Sequence, residues 1–418
     1  MEQQQLNTEI TAGAGELKSQ YLEYKTFTEY PIFDADQHLT EGEDCYTRHI
    51  EDKYKDRTLR VVVEGGKTLF KFDGNARESD GHHGKVPHPG SLKELLKGIK
   101  KGSGEAGTYQ WMEPDPAFAD ADLRLEQLDK QNIEACMLYS TGIGLLAEHV
   151  LTDDDLFYAS SWSYLRWLEE EWGFARADRM FVAPIFSMRD VDRTCEQLDY
   201  FFERGGKVVA MVPGPAYGRS PGDPYFDRIW GRINDAHATV SYHINEAPPG
   251  YKAGRSREWG EEENPTFFTQ SAWQWYWAYG DVPAQETFSQ LIYGNVFSRF
   301  PNLKIVSAEH GCEWIPLFVR KLDKMRGMGR NGRWIGGQLP ERPSKIFKRH
   351  FRVVPFWEDD MADVIDKVGA EVLLGGSDFP HSEGLAFPSQ LVDHLDMLDA
   401  SAQKLVMRDN GLALVGRS

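Results

Sequence analysis

Two aspartates and a histidine at alternate positions near the start of the sequence could hold a metal ion. Asp34, Asp36 and His38 lie in "PIFDADQHLTEGED", which begins with an apolar run typical of a β-strand. Alternate residues of an extended chain point to one face, so we expect the three side chains to lie together. Taken alone, the stretch is more often an acidic turn that contains a histidine, because aspartate is common in turns. The rest of the chain must decide between the two interpretations.

Histidines and carboxylates also follow several later apolar runs. A lone histidine of this kind is usually a satisfied core residue, but several strand ends bearing imidazole or carboxylate groups favour a shared site. Nitrogen and oxygen donors suit zinc, iron or manganese, whereas oxygen donors alone suit magnesium or calcium. The residues are His243 and Glu246 near "ATVSYHI", Glu309, His310 and Glu313 near "LKIVSAEH", Glu358, Asp359 and Asp360 after "FRVVPF", and Asp378 and His381 near "EVLLGGSD".

Eight short runs rich in apolar and β-branched residues are the elements that would bring these side chains together. They begin with "PIFDAD" and end with "EVLLGGSD", and most of them alternate with stretches in which apolar residues recur at helical spacing. This alternation predicts an α/β fold, the (β/α)₈ TIM barrel, whose active sites lie at the C-terminal ends of the strands. The predicted helices are 121–132, 190–204, 225–236, 288–300, 314–326 and 358–368.

Two stretches interrupt the repeat and are predicted to be insertions in a single barrel domain over 31–418. The first, about 57–112, follows strand one, and its "RVVVEGGKTLFKFDG" predicts a β-hairpin followed by a long loop. The second, about 248–285, follows strand five, and its "TFFTQSAWQWYWAYGDV" predicts an apolar wall for a substrate pocket. Residues 1–30 form a predicted N-terminal extension, which could serve as an arm in a homo-oligomer.

The composition of the 418 residues excludes several classes of protein. A net charge of −18 disfavours nucleic-acid and acidic-membrane partners, because a phosphate surface requires a basic footprint. No run is long and apolar enough for a membrane span, and the N-terminus lacks a signal-peptide pattern, so we expect a cytoplasmic protein. The 4 cysteines lack CxxC spacing, which indicates buried thiols rather than a disulfide framework or a thiolate zinc site.

Four stretches, "DADQH", "YHI", "AEHGCEWIP" and "GGSDFPHSEGL", together resemble the amidohydrolase-related branch of the amidohydrolase superfamily. This group includes aminocarboxymuconate-semialdehyde decarboxylase-like enzymes, and the resemblance spans nearly everything from Pro31 onward. It implies an amidohydrolase-type barrel with a divalent metal, zinc, iron or manganese, at its mouth. Members hydrolyse, decarboxylate or hydrate their substrates, and in unusual cases they use iron for oxygenation.

The resemblance also implies roles for individual residues. The family's strand-one HxH motif corresponds to Asp36 and His38, so an aspartate replaces its first histidine. The bridging lysine that many two-metal members carry at the end of strand four has no counterpart, because Lys207 lies at the beginning of that strand. The site therefore holds one metal, or further carboxylates bridge two. The predicted metal ligands are Asp36, His38, His243, His310, Asp378 and Glu313, and the predicted catalytic residues are His310, Asp378 and Glu246.

These assignments predict hydrolysis or non-oxidative decarboxylation of a bulky, apolar carboxylic or acyl substrate. One divalent ion would activate water or bind a substrate carboxylate, with His310 as an acid or a polarising group. The alternative is an oxygen-dependent non-haem diiron monooxygenase, in which His310 and some of the glutamates join the ligands. A metal-free binding protein is the hypothesis outside the enzyme class. Metal content would separate the three.

Overall fold

The structure is a computed structural model of the chain. It describes residues 25–65, 67–78, 84–98, 108–244, 250–263, 265, 269–277 and 280–417. The predicted division into an N-terminal extension and one domain stays a prediction, because most of 1–30 lies outside these residues. The predicted catalytic residue Glu246 also lies outside them.

Short parallel strands, largely buried, form the centre of the structure. Every side chain of the first strand is buried, as expected for a parallel strand that is covered on both faces. The strands are β1 (Ile32–Leu39), β2 (Arg60–Glu64), β3 (Lys67–Phe72), β4 (Asn75–Glu78), β5 (Ile133–Ser140), β6 (Ala175–Arg176), β7 (Met180–Val182), β8 (Val208–Ala210), β9 (Thr239–His243), β10 (Lys304–Ala308) and β11 (Phe351–Val353).

Parallel pairing joins these strands into the predicted barrel. Strands β1, β5 and β7 pair in that order, and β8, β9, β10 and β11 form a second parallel set. A bridge between Ile185 and Ala210 connects the two sets on one side. On the other side the segment 373–379 supplies the eighth strand, because Leu373 pairs with Val353 and Phe379 pairs with Gln37 of β1. The predicted TIM barrel is therefore confirmed.

Helices connect consecutive barrel strands, and aspartate side chains begin several of them. The Asp120 carboxylate, for example, accepts hydrogen bonds from the amides of Asp122 and Leu123. The helices are α1 (Asp52–Lys55), α2 (Leu92–Gly98), α3 (Ala121–Lys130), α4 (Ile143–Val150), α5 (Asp154–Glu171), α6 (Val191–Glu203), α7 (Asp227–Asp235), α8 (Tyr251–Glu258), α9 (Ala272–Trp277), α10 (Asp281–Tyr293), α11 (Val296–Arg299), α12 (Ile315–Met328), α13 (Pro343–His350), α14 (Met361–Lys367), α15 (Ala400–Lys404) and α16 (Asn410–Leu414).

Five of the six predicted helices match single observed helices to within about three residues. The prediction for 288–300 is wrong in its boundaries, because it spans the end of α10 and the whole of α11. The chain turns between them at Asn295, whose φ of 55° is left-handed and cannot continue a right-handed helix. The longest helix among the described residues, α5, is absent from the predicted set, although its buried residues Phe157, Tyr164 and Leu168 recur at helical spacing.

Extra elements follow the first and fifth barrel strands, as predicted, whereas the exact bounds of the two insertions stay predictions. Strands β2 and β3 form an antiparallel hairpin after β1, and β4 extends it to three strands. The second insertion follows β9 and contains α8 and α9 in its described parts. Within the described ranges, no helix is long and apolar enough to cross a membrane.

Two layers of buried side chains hold the barrel together. An inner cluster fills the barrel with small and aromatic residues such as Ala35, Ala135 and Phe181. A larger outer cluster packs the strands against the helices through residues such as Trp172 and Trp230, both fully buried. This close packing fixes the strand ends, and with them the side chains at the mouth.

Candidate metal centre

An irregularity in β1 aims Asp36 and His38 into the barrel mouth. The pairing of β1 with β5 shifts register between Asp34 and Gln37, so simple alternation fails there. The expectation that Asp34 shares a face with Asp36 and His38 is therefore wrong. Asp34 instead accepts hydrogen bonds from the amide and hydroxyl of Ser377, at 3.0 and 2.6 Å, and so ties β1 to the eighth strand.

His38 has its two ring nitrogens in different surroundings. Nδ1 lies 3.0 Å from the carbonyl oxygen of Ser140 and donates its hydrogen to it, since a carbonyl can only accept. Nε2 is then left with a lone pair, the form in which imidazole binds a metal. It lies 3.4 Å from Oδ1 of Asp36 and 3.2 Å from Oδ1 of Asp378.

His243, the last residue of β9, brings a second imidazole to the same point. Its Nδ1 lies 3.1 Å from the carbonyl oxygen of Ile244, and its Nε2 lies 3.2 Å from Nε2 of His38. The same Nε2 is 3.5 Å from Oδ1 of Asp36, which has no hydrogen-bond partner among the described residues. Buried nitrogen and oxygen atoms that converge in this way fit a shared cation.

The carboxylates of the mouth form a second, overlapping group. Glu309, Asp378 and Glu383 each offer an oxygen within 4.8 Å of the others, and Glu309 lies 3.2 Å from Nε2 of His243. Glu309 and Asp378 both have left-handed backbones, with φ of 58° and 54°. Non-glycine residues in this conformation carry strain that is common at functional sites. The donors of the mouth thus suit one ion, with further oxygens available for a second.

The charges at the mouth shift the pKa values of these groups in opposite directions. Burial alone would raise the pKa of Asp36, but the neighbouring imidazoles of His243 and His38 hold it below its usual range. Burial and the neighbouring charge of Asp378 raise the pKa of Glu309 well above its usual value. Two adjacent carboxylates cannot both ionise easily without a cation, and a divalent ion would remove that conflict.

His381 contacts the same aspartate from the loop after the eighth strand. Its Nδ1 lies 2.7 Å from Oδ1 of Asp378, and its ring lies 4.0 Å from that of His38, measured between centroids. Burial acts to lower the pKa of His381, but the charge of Asp378 outweighs it and raises the pKa to about 9. His38, Asp378 and His381 form a third group of candidate metal donors.

His310 lies at the edge of this cluster rather than within it. Its Nδ1 is 2.9 Å from the hydroxyl oxygen of Ser307, and its buried Nε2 has no hydrogen-bond partner in the described ranges. Burial lowers the pKa of His310 to about 3, and the neighbouring imidazole of His243 acts in the same direction. A neutral imidazole suits a polarising hydrogen-bond donor better than a general acid.

Two glutamates near the strand ends serve other purposes. Glu313, predicted as a ligand, is exposed and accepts a hydrogen bond from the amide of Asp360, so the geometry lends that role no support. Glu41 accepts from the amide of Gly144 at 3.0 Å and steadies the loop after β5. Glu383 was missed altogether, because it stands five residues beyond Asp378 in a loop without periodicity. Its only signal was its position in "GGSDFPHSEGL".

A hydrogen-bonded scaffold supports the donors from beneath. The fully buried guanidinium of Arg124 donates to the carbonyl of His38 at 2.8 Å and to the side chain of Gln37 at 3.2 Å. Gln37 in turn donates to Asp34 at 2.9 Å. These groups fix the backbone on which Asp36 and His38 stand, as partners beyond the ligands do in metal sites.

A pocket opens beside the donors at the ends of β1, β10, β11 and the eighth strand. Its acidic side includes Asp36, Glu309, Asp378 and Glu383. Its apolar lining belongs to the segment after β11 and to Leu385. No described residue of the aromatic insertion after β9 lines it. The predicted substrate wall in that insertion therefore finds no support in this pocket.

Comparison with solved structures identifies several similar folds. An amidohydrolase from Mycobacterium avium subsp. paratuberculosis K-10 is 28% identical, with a TM-score of 0.79 over 94% of this chain and 99% of its own. A 2,6-dihydroxybenzoate decarboxylase from Rhizobium is 17% identical, with a TM-score of 0.56 over 93% and 99%.

A 5-carboxyvanillate decarboxylase from Novosphingobium aromaticivorans DSM 12444, complexed with manganese and 4-hydroxy-3-methoxy-5-nitrobenzoic acid, is 16% identical. Its TM-score is 0.59 over 94% of this chain and 98% of its own. At such identities the two decarboxylases show a shared fold alone. None of the curated proteins matches the chain. The amidohydrolase family model matches residues 34–417. The chain therefore belongs to the amidohydrolase family of metal-dependent enzymes.

Proposed function

We propose that the protein removes the carboxyl group of an aromatic carboxylic acid without oxidation, using a divalent metal held at the barrel mouth. The observation that carries the proposal is the convergence of His38 Nε2, His243 Nε2 and Asp36 Oδ1, each within 3.5 Å of the next. In this reaction the bond between the ring and the carboxyl carbon breaks, carbon dioxide leaves, and a proton takes its position on the ring.

Asp36, His38, His243 and Asp378 would hold the ion. A bound divalent ion acts there as a Lewis acid that draws a substrate carboxylate to the mouth. Residues of the chain would then orient the acid and hold the proton that replaces the carboxyl group on the ring. Nδ1 of His381 can hold a proton against Oδ1 of Asp378 at 2.7 Å, next to the position of the substrate.

His310 would polarise the bound substrate. Its Nε2 is buried and has no hydrogen-bond partner among the described residues, so it is available to donate to a substrate oxygen. The Ser307 hydroxyl, which can donate to Nδ1, would keep the proton on Nε2. Donors aimed in this way at developing charge are worth about 10² to 10³ in rate.

The similarity to decarboxylases of aromatic acids supports this reaction. One of them is complexed with manganese, which supports manganese as the metal. Zinc and iron suit the same donors. Hydrolysis of an acyl substrate remains within the family's chemistry. The diiron monooxygenase alternative gains no support from the comparisons and remains a prediction that metal analysis tests.

The test is carbon dioxide release from a panel of hydroxybenzoic acids by enzyme loaded with manganese, zinc or iron(II) under argon. Simple aryl esters and anilides, assayed in parallel, report hydrolysis. We expect at least one acid to lose carbon dioxide with the metal-loaded enzyme, and none with enzyme stripped by a chelator. Ester or anilide turnover without any decarboxylation would refute the proposal in favour of hydrolysis.

A further inference from the structure

The apolar side of the mouth pocket consists of aromatic rings that remain open to solvent. Phe356 and Trp357 follow β11, and each is 40% exposed although it lines the same pocket as Asp36 and Asp378. Such exposure of two large rings is unfavourable in water unless something covers them. The pocket therefore combines the candidate metal donors with exposed aromatic surface.

Several contacts hold the two rings in position. Oδ2 of Asp359 accepts hydrogen bonds from the amides of Phe356 and Cys312, at 3.0 and 2.6 Å, and so joins the loops after β11 and β10. The Phe356 ring lies directly over Gly311, where a Cβ atom would come within 2.8 Å of Cδ2. The Trp357 ring packs against His394 at 5.8 Å between centroids.

We infer that Phe356 and Trp357 are the specificity-determining residues of this site and that they select a flat aromatic ring attached to the carboxylate. The inference rests on the proposed function, in which the metal holds that carboxylate. Rings fixed before binding lose little entropy when a substrate ring packs on them, and offset aromatic pairs gain more than their buried area alone provides. A saturated ring of equal size lacks that geometry.

The test uses two matched probes, benzoate and cyclohexanecarboxylate, with acetate as the carboxylate without a ring. Their dissociation constants are measured by calorimetry on manganese-loaded wild-type protein and on the Phe356→Leu and Trp357→Leu variants. Trp275→Leu, in the insertion after β9, is the control for loss of an exposed aromatic residue. Manganese content and melting temperature are recorded for each variant, and the partial exposure of both rings favours normal folding.

We expect wild-type protein to bind benzoate at least fivefold more tightly than cyclohexanecarboxylate. Either leucine variant should reduce that ratio to near one and leave acetate binding and manganese content unchanged. Trp275→Leu should keep the wild-type ratio. If benzoate preference survives in both variants, the inference is overturned while the proposed function stands. If no carboxylate binds the metal-loaded protein, the proposed function fails and the inference fails with it.

Discussion

Two groups of buried carboxylates lie near the C-terminal ends of the barrel strands, and they differ in how their charge is balanced. Glu148, on α4, faces the guanidinium of Arg189 at 3.5 Å and accepts from the hydroxyl of Ser187 at 3.0 Å. Arg189 also donates to the carbonyls of Leu151 and Glu148, at 2.6 and 2.7 Å. In this group the protein supplies its own cation.

The donor cluster at the mouth lacks a comparable partner. Across the described residues, the ion pairs of Asp36, Asp378 and Glu309 are all made with histidines. A histidine that already gives its Nδ1 hydrogen to a carbonyl can neutralise a carboxylate only if it takes up a second proton. The difference teaches that burial alone does not mark a functional site. A cluster of buried carboxylates that faces imidazoles instead of an arginine or a lysine is the better indicator.

The largest effect should follow from removing one of the histidines of the mouth. His243→Ala is expected to abolish metal binding and reduce activity to background, because three donors converge on its Nε2. The control is His237→Asn, which alters an exposed histidine just before the same strand and tolerates its left-handed backbone. Elemental analysis and turnover are measured on the same preparations. Full metal content in His243→Ala would refute the proposed ligand set.

The paired group should respond in stability rather than in metal content. Arg189→Met leaves Glu148 buried without its cation, so we expect the free energy of unfolding to fall by about 3 to 5 kcal/mol. Arg228→Met, which breaks the exposed pair with Asp192, should leave the free energy of unfolding nearly unchanged. Chemical denaturation and metal analysis check both variants. Loss of metal from folded Arg189→Met would contradict the separation of the two groups.

His310 tests the boundary of the donor cluster. Because its Nε2 lies outside the three candidate donor groups, His310→Ala should keep the metal and lose about 10² to 10³ in kcat. His310→Gln should recover part of that loss, since its amide can donate in place of Nε2. Metal content and kcat are compared for both variants. A drop in metal occupancy in His310→Ala would make His310 a ligand instead.

The smallest effect concerns a buried histidine remote from the mouth. Burial lowers the pKa of His350 from 6.5 to about 4, and its Nδ1 donates to the carbonyl of Leu303 at 2.8 Å. A lowered histidine pKa means that the fold favours the neutral ring. Its stabilisation is complete above about pH 6.5 and is lost as the pH falls toward about 4.

His350→Gln, whose amide can replace the donor, should therefore flatten the loss of stability between pH 7 and pH 4.5 without changing metal content. Urea midpoints at the two pH values measure it. An identical pH response in wild type and variant would show that other groups dominate acid unfolding.

The sequence carried enough information for the barrel and for four of the donors. Strand ends at Asp36, His38, His243 and Asp378 follow from apolar runs alone, because a parallel barrel brings all such ends to one mouth. Glu383 and the pocket wall at Phe356 and Trp357 could not be found in this way. Their positions depend on how loops fold against one another, which leaves no periodic signal.

Local backbone geometry explains why the structure departs from the prediction at Asp34 and gives no support to it at Glu313. Asp34 has the spacing of a ligand, but the register shift in β1 turns it toward Ser377. Glu313 follows a strand end closely, yet it lies where α12 is about to begin and binds the amide of Asp360 instead. The composition of the insertion after β9 favours it as the wall of the substrate pocket. The pocket beside the donors is instead lined by Phe356 and Trp357.

Metal content after anaerobic purification tests the central claim most directly, with wild-type protein compared to a His38→Ala, His243→Ala double variant. The account predicts about one zinc, manganese or iron per chain in the wild type. It predicts about two if a second ion binds among the carboxylates of Glu309, Asp378 and Glu383. The double variant should retain almost none while remaining folded by circular dichroism. Wild-type protein that binds no divalent metal, even after incubation with each ion in excess, would contradict the account.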